Sequence, residues 1–167
     1  MNYALWDLDN CLANDAWRIP FIDWREGLTP DQRYAEYHRC CGRDQPGNVS
    51  AFNAVRLFAE PVFFTARPES VRATTVDWIE RHLAVARPLV LMRRDGEHTP
   101  SAELKRAMVW RLRNNIGVGD KIVAAFDDRL DVVQMYRRED IPSTVVRIHE
   151  QCAFTKPAPK EVPHVGV

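Results

Sequence analysis

Five short apolar runs along the chain alternate with stretches of helical periodicity. Tyr3 to Trp6, Val62 to Phe64, Leu89 to Met92, Ile122 to Phe126 and Thr144 to Ile148 are each too short for a buried helix and read as strands. Between the second and third runs, Val71, Thr75, Trp78, Ile79 and Leu83 share one helical face, with Ser70 predicted as the N-cap. Between the third and fourth, Thr99 and Pro100 read as N-cap and first helical residue, followed by Leu104, Met108 and Leu112 at fourfold spacing. Between the fourth and fifth, Val132, Val133 and Tyr136 repeat the pattern, which Pro142 ends. This alternation predicts an α/β fold, an open parallel sheet of about five strands with helices on both faces.

Residues 13–59 break the alternation. No strand-like run occurs there, and Gly27, Pro30, Gly42, Pro46 and Gly47 separate short amphipathic pieces. The expectation is a small helical cap insertion at 13–59. Its last piece, Ser50 to Ala59, would return to the sheet as a crossover helix with Phe52, Val55 and Phe58 on one face. Residues 1–12 and 60–150 then form the core, and the proline-bearing stretch 151–167 forms a tail, either an extended strap or disordered. Trp17, Trp24, Tyr34 and Tyr37 in the insertion fit burial or stacking on a nucleobase.

The strand ends carry the chemistry, because in an open parallel sheet they line the ligand crevice. Asp7 and Asp9 follow the first run, Thr65 and Arg67 the second, and Asp127 and Asp128 the fourth. One aspartate pair is an ordinary strand-to-helix turn. Two pairs at matching ends make a hard oxygen site suited to Mg²⁺.

Composition narrows the picture further. With 167 residues, 46% of them hydrophobic, the chain supports a full core and is neither collagenous nor disordered. Its 23 basic and 23 acidic residues cancel, so contact with a polyanion has to be local. The start Met1 to Trp6 lacks the basic and long apolar stretches of a signal peptide, and no run approaches a membrane span. Cys11, Cys40, Cys41 and Cys152 form neither a CxxC pair nor a secreted framework, which fits reduced thiols and a cytoplasmic location. The five histidines show no zinc-binding spacing.

Four elements in order resemble the haloacid dehalogenase superfamily of phosphohydrolases. Asp7-Leu8-Asp9-Asn10-Cys11-Leu12 is similar to its DxDx(T/V)(L/V) strand end, with Cys11 in place of Thr or Val. Val62 to Thr65, Lys105, and Phe126-Asp127-Asp128 follow as the other three. The chain resembles more closely the phosphatase domain of bacteriophage polynucleotide kinase, which removes 3'-phosphates from nucleic acid ends. Thr65-Ala66-Arg67-Pro68-Glu69 is similar to its SGRE segment, and Asp127-Asp128-Arg129 through Arg137 to its DDRxxVVxMWR helix. Arg18 also matches an arginine of that domain. The chain departs from it in having no P-loop kinase module, and in having Ser101 where an acidic residue precedes the motif lysine by four positions.

The resemblance implies a Mg²⁺-dependent phosphomonoesterase of haloacid dehalogenase-like fold. It makes Asp7 the nucleophile that becomes an aspartyl-phosphate and Asp9 the acid and then the base. Thr65 would donate to the phosphoryl group, and Lys105 would neutralise charge beside Asp7. Arg67 and Arg18 would bind substrate. Asp7, the Asp9 carbonyl, and one or both of Asp127 and Asp128 would hold the metal. Asp131 reads equally as a support for the metal site or as a solvated helix residue. The substrate is a 3'-phosphorylated nucleic acid end or a nucleotide, the choice resting with the insertion. A 5'-nucleotide phosphatase, a phosphotransferase or dehalogenase, and a binding module that has lost the chemistry are the other classes open at this point.

Overall fold

Side-chain alternation in the first run sets the architecture. A computed structural model describes residues 1–150, so the expected tail at 151–167 lies outside the described residues. The first run is strand β1 (Asn2–Trp6). Two short strands, β2 (Ala13–Asn14) and β3 (Gln45–Pro46), pair antiparallel within the insertion. Then come β4 (Glu60–Pro68), β5 (Leu89–Arg93), β6 (Lys121–Asp127) and β7 (Ser143–Val145). The five longer-range strands form one parallel sheet in the order β5-β4-β1-β6-β7. The chain therefore builds outward from β1 through β4 to β5, then crosses back to place β6 on the other side of β1. That reversal puts the topological switch point between β1 and β6.

Successive residues of a strand face opposite sides. Ala4, Trp6 and Phe63 enter one core layer, whereas Leu5, Val62, Phe64 and Ala125 enter the other. The first layer is covered by α2 (Val49–Val55), through Phe52, and by α3 (Arg72–Leu83), through Trp78, Ile79 and Leu83. The second is covered by α4 (Ser101–Arg113) and α5 (Leu130–Arg138), through Leu104, Met108, Leu112, Val132 and Tyr136. Trp6 stacks on Phe126 at 4.0 Å between centroids and meets Phe52 edge-on at 5.4 Å, locking the β1 end against β6. Helix α1 (Pro30–Arg39) belongs to the insertion and starts with a capping box, in which Thr29 and Gln32 satisfy each other's backbone N–H groups. No helix of the described residues is long and apolar enough to cross a membrane.

Several element ends differ from the sequence reading, each for a local reason. Strand β4 runs on through Thr65 and Arg67 to Pro68, with its register against β5 shifting after Phe64. Ser70 is not a helix cap: it lies inside a 3-10 turn, Glu69–Val71, where its N–H donates to Asp95 Oδ1 at 3.0 Å, and α3 starts two residues later with Val71 as its N-cap. Likewise Thr99 does not cap α4: Pro100 does, while the Thr99 hydroxyl donates to Glu97 and its carbonyl accepts from Arg93. Helix α2 ends at Val55, leaving Phe58 67% exposed and Ala59 packed in its stead. The last strand stops at Val145, since the following residues turn to bond Asn10 and Asp128.

Candidate active site

The alternation that separates the two core layers also aims the carboxylates. Asp7 and Asp127 follow Leu5 and Ala125 by two residues, and these lie opposite each other in register on β1 and β6. Both aspartates therefore lean toward the layer covered by α4. The Asp7 N–H continues the ladder, donating to the Phe126 carbonyl at 3.0 Å. Buried Lys105, on α4, lies between them, its Nζ 2.7 Å from Asp7 Oδ1 and 2.6 Å from Asp127 Oδ2. Its neighbours in the helix, Leu104 and Met108, anchor that face in the core.

One oxygen each from Asp7, Asp127 and Asp128 lie within 4.8 Å of one another, and all three residues are buried. Lys105 reaches two of these three carboxylates. Burial pushes the Asp7 carboxyl well above its usual range; Lys105 opposes this, while Asp127, Asp128 and Asp9 add to it. Concentrated buried negative charge on hard oxygen donors fits a divalent cation such as Mg²⁺. The Asp9 side chain is not part of this cluster.

Asp9 faces a second group instead. Its Oδ1 accepts from Arg18 Nη2, from Arg67 Nε at 2.9 Å and from Arg67 Nη2 at 2.6 Å. Burial opposes its ionisation, but Arg18 and Arg67 overcome that and hold the carboxyl well below the ordinary range. Both arginines, expected as substrate contacts, are completely buried here and shared with a residue the sequence did not flag, Asp44. Asp44 accepts from Arg18 Nε and Nη2, both at 2.8 Å, and from Arg67 Nη2 at 2.9 Å. Arg18 also donates to the Tyr37 carbonyl and stacks on that ring at 4.0 Å.

The remaining expected residues sit around these two groups. Buried Thr65 accepts the Arg67 N–H on its hydroxyl oxygen at 3.2 Å, which leaves the hydroxyl proton to donate elsewhere. Glu69 pairs with Arg72 rather than with Arg67. Asp131 is half-exposed and paired with Arg129, matching its reading as a solvated helix residue. Cys11 is a buried free thiol in the core. Sequence reasoning passed over Asn10, which adopts a left-handed backbone (φ 57°) that asparagine tolerates better than most residues. Its amide donates to Asp128 Oδ2 at 3.2 Å and accepts from the His149 N–H at 2.9 Å, tying the strand ends to the end of the described chain.

These groups open on a cavity of about 770 Å³. One wall is α1, which presents Asp31, Tyr34 and His38 at helical spacing; the facing wall is the stretch from Arg93 to Ser101. Burial lowers His38 to about 4, with Arg18, Arg67 and Arg93 adding and Asp9 opposing, so its imidazole is neutral at pH 7. Of the insertion aromatics, Tyr34 and Tyr37 line the cavity, whereas Trp17 donates to Asp44 and Trp24 lies under Arg33.

The family model for the polynucleotide kinase PNKP phosphatase domain matches residues 2–150. No curated protein matches the sequence. Among solved structures, a chain of the Pnkp1/Rnl/Hen1 RNA repair complex superposes with a TM-score of 0.63 at 18% identity, covering 87% of this chain and 42% of that one. A second Pnkp1/Rnl/Hen1 complex gives 0.62 at 18%, covering 87% and 45%. A class C acid phosphatase from Bacillus anthracis with tungstate bound gives 0.53 at 12%, covering 87% and 66%. The chain thus spans less than half the length of the two repair-complex chains, and at these identities the likeness is one of fold.

Proposed function

The chain belongs to the polynucleotide kinase PNKP phosphatase domain family of the haloacid dehalogenase superfamily, and from that premise we propose a Mg²⁺-dependent phosphomonoesterase that acts on 3'-phosphorylated nucleic acid ends in the cytoplasm. The observation that carries this reading is the lysine-bridged aspartate pair at the switch point, Asp7-Lys105-Asp127, with Asp9 turned away into its own cationic clamp. It separates a nucleophile from an acid–base group two residues away.

Phosphoryl transfer is mostly in-line positioning and charge neutralisation. Asp7 attacks phosphorus and carries the phosphoryl group as an acyl phosphate, splitting one hard displacement into two easier ones. Arg18 and Arg67 hold Asp9 ionised in the free protein, so it takes up a proton from the entering phosphate monoanion, gives it to the departing 3'-oxygen, and later takes one from the water that hydrolyses the intermediate. Thr65 donates its hydroxyl proton to a phosphoryl oxygen, and Lys105 offsets the charge at Asp7 and fixes its direction of attack. Asp7, Asp127, Asp128 and the Asp9 carbonyl would hold Mg²⁺, which when bound neutralises phosphoryl charge. The insertion, residues 13–59, is proposed as the cap that screens substrates, since α1 forms one wall of the cavity.

Asp9→Asn is expected to lower kcat/KM for an alkyl phosphate by about 10²-fold or more, while an activated aryl phosphate loses far less. That quantity covers only the steps through transfer to Asp7, so the later hydrolysis does not enter. Equal losses on both substrates would reject the acid role. Excess chelator is expected to stop turnover, with Mg²⁺ restoring it; undiminished phosphate release in chelator would remove the metal from the account.

A cavity of about 770 Å³ is also within the range of small-molecule sites, about 300–1,000 Å³. It therefore admits a second reading, a 5'-nucleotide phosphatase. Phosphate release from a 3'-phosphorylated oligonucleotide and from 5'-mononucleotides, measured across a salt series, separates the two. The proposal expects the oligonucleotide to react faster and to lose rate steeply as salt rises, because bridging phosphates release counterions. Preference for mononucleotides with little salt dependence would establish the second reading instead.

A further inference from the structure

Asp44 lies in the insertion, far from the motif residues in sequence, yet it is completely buried beside them. Its carboxylate accepts four hydrogen bonds: Oδ1 from Trp17 Nε1 at 2.9 Å and Arg18 Nε at 2.8 Å, Oδ2 from Arg18 Nη2 at 2.8 Å and Arg67 Nη2 at 2.9 Å. Its own carbonyl accepts from Trp78 Nε1 at 2.7 Å, fixing the backbone to α3. Two carboxylates and two guanidiniums, Asp9, Asp44, Arg18 and Arg67, make a neutral quartet, buried except at Asp9. In such a group the geometry of each cation is set by both anions.

The asymmetry of Asp9 is the consequence that matters. Among the described residues, all three hydrogen bonds that its carboxylate receives, from Arg18 Nη2 and from Arg67 Nε and Nη2, end on Oδ1. A carboxylate that exchanges a proton with the departing oxygen needs one oxygen held and the other available. Arg18 is also held through Nη1 by the Tyr37 carbonyl and over the Tyr37 ring, contacts that do not involve the Nη2 donating to Asp9. Asp44 fixes those nitrogens: its Oδ2 accepts from the same Arg18 Nη2 and Arg67 Nη2 that reach Asp9 Oδ1, and its Oδ1 accepts from Arg18 Nε. We propose that Asp44 is a positioning residue: it aims both guanidiniums at Asp9 Oδ1 and so keeps Asp9 Oδ2 directed at the leaving oxygen and, later, at water. Because Asp44 and Arg18 both come from residues 13–59, the insertion completes the acid–base machinery as well as walling the cavity.

This inference rests on Asp9 being the acid, and the test separates the two. The kcat/KM values of an alkyl and an aryl phosphate are measured for the wild type, Asp9→Asn and Asp44→Asn, with thermal unfolding of each protein as the measure of folding. Asp44→Asn is expected to lower the alkyl substrate about tenfold or more and the aryl substrate less than about threefold, a weaker copy of Asp9→Asn. A purely structural Asp44 would lower both alike, or lower only the unfolding temperature, and that result would overturn the proposal. Should Asp44→Asn not fold, Arg18→Lys keeps the charge and removes the fork between the two carboxylates. It is expected to raise the same alkyl-to-aryl discrimination, and an unchanged ratio would equally overturn the proposal. If Asp9→Asn itself shows no discrimination, the acid assignment fails first.

Discussion

Asp7→Asn is expected to leave a folded protein with turnover of every phosphomonoester reduced by about 10⁴-fold or more, the scale of losing a nucleophile. The replacement is isosteric and keeps a hydrogen-bonding oxygen near Lys105, which stays bonded to Asp127 at 2.6 Å. Folding is not threatened, because the Asp7 charge is a burden there: burial and the charges of Asp127, Asp128 and Asp9 all disfavour it, with Lys105 alone in opposition among the principal influences. In chelator the variant is therefore expected to unfold at the same temperature as the wild type or higher, a separation of stability from activity typical of functional sites. Thermal unfolding and phosphate release on the same sample check both halves. A variant that loses activity only because it unfolds would contradict the placement of Asp7.

Lys105→Met is expected to have the second large effect, with stability and activity falling together. The ammonium is nearly inaccessible and bridges two carboxylates that would otherwise face each other without a cation. Removing one member of a buried ionic group leaves uncompensated charge and typically costs about 3–5 kcal/mol. Denaturant unfolding in chelator is expected to show a loss of that order, with Mg²⁺ recovering part of it by supplying charge to the same carboxylates. Turnover is expected to drop by about 10²-fold even when Mg²⁺ is present, because the direction of Asp7 is lost. A Lys105→Met protein as stable as the wild type in chelator would mean that the bridge is not formed.

The core of this architecture was legible because it follows from period and strand order. Runs such as Tyr3 to Trp6 and Ile122 to Phe126 became the strands of the switch point, and Asp7, Lys105 and Asp127 met as their places in the order implied. What escaped was set by contacts distant in sequence. Asp44 sits among turn residues between Gly42 and Pro46, and its partners Arg18 and Arg67 are 26 and 23 residues away; a lone aspartate in a turn carries no pattern. The arginines were recognisable as motif members, but their full burial and their grip on Asp9 Oδ1 depend on where the insertion folds back. Asn10 stood within the first motif with no role assigned, and only its left-handed backbone and its bonds to Asp128 and His149 give it one. Phe58 misled for the opposite reason, since periodicity persists in sequence after α2 has ended.

The separation of nucleophile from acid–base group is tested most directly in the Asp9→Asn variant with an activated aryl phosphate. On the proposed mechanism, the variant without its base should transfer the phosphoryl group to Asp7 but hydrolyse the intermediate slowly. The account predicts a burst of the released phenol equivalent to one per enzyme, and a phosphorylated peptide carrying Asp7 after rapid acid quench. Phenol and phosphate appearing in equal amounts from the first turnover, with the Asp7 peptide unmodified throughout, would contradict it.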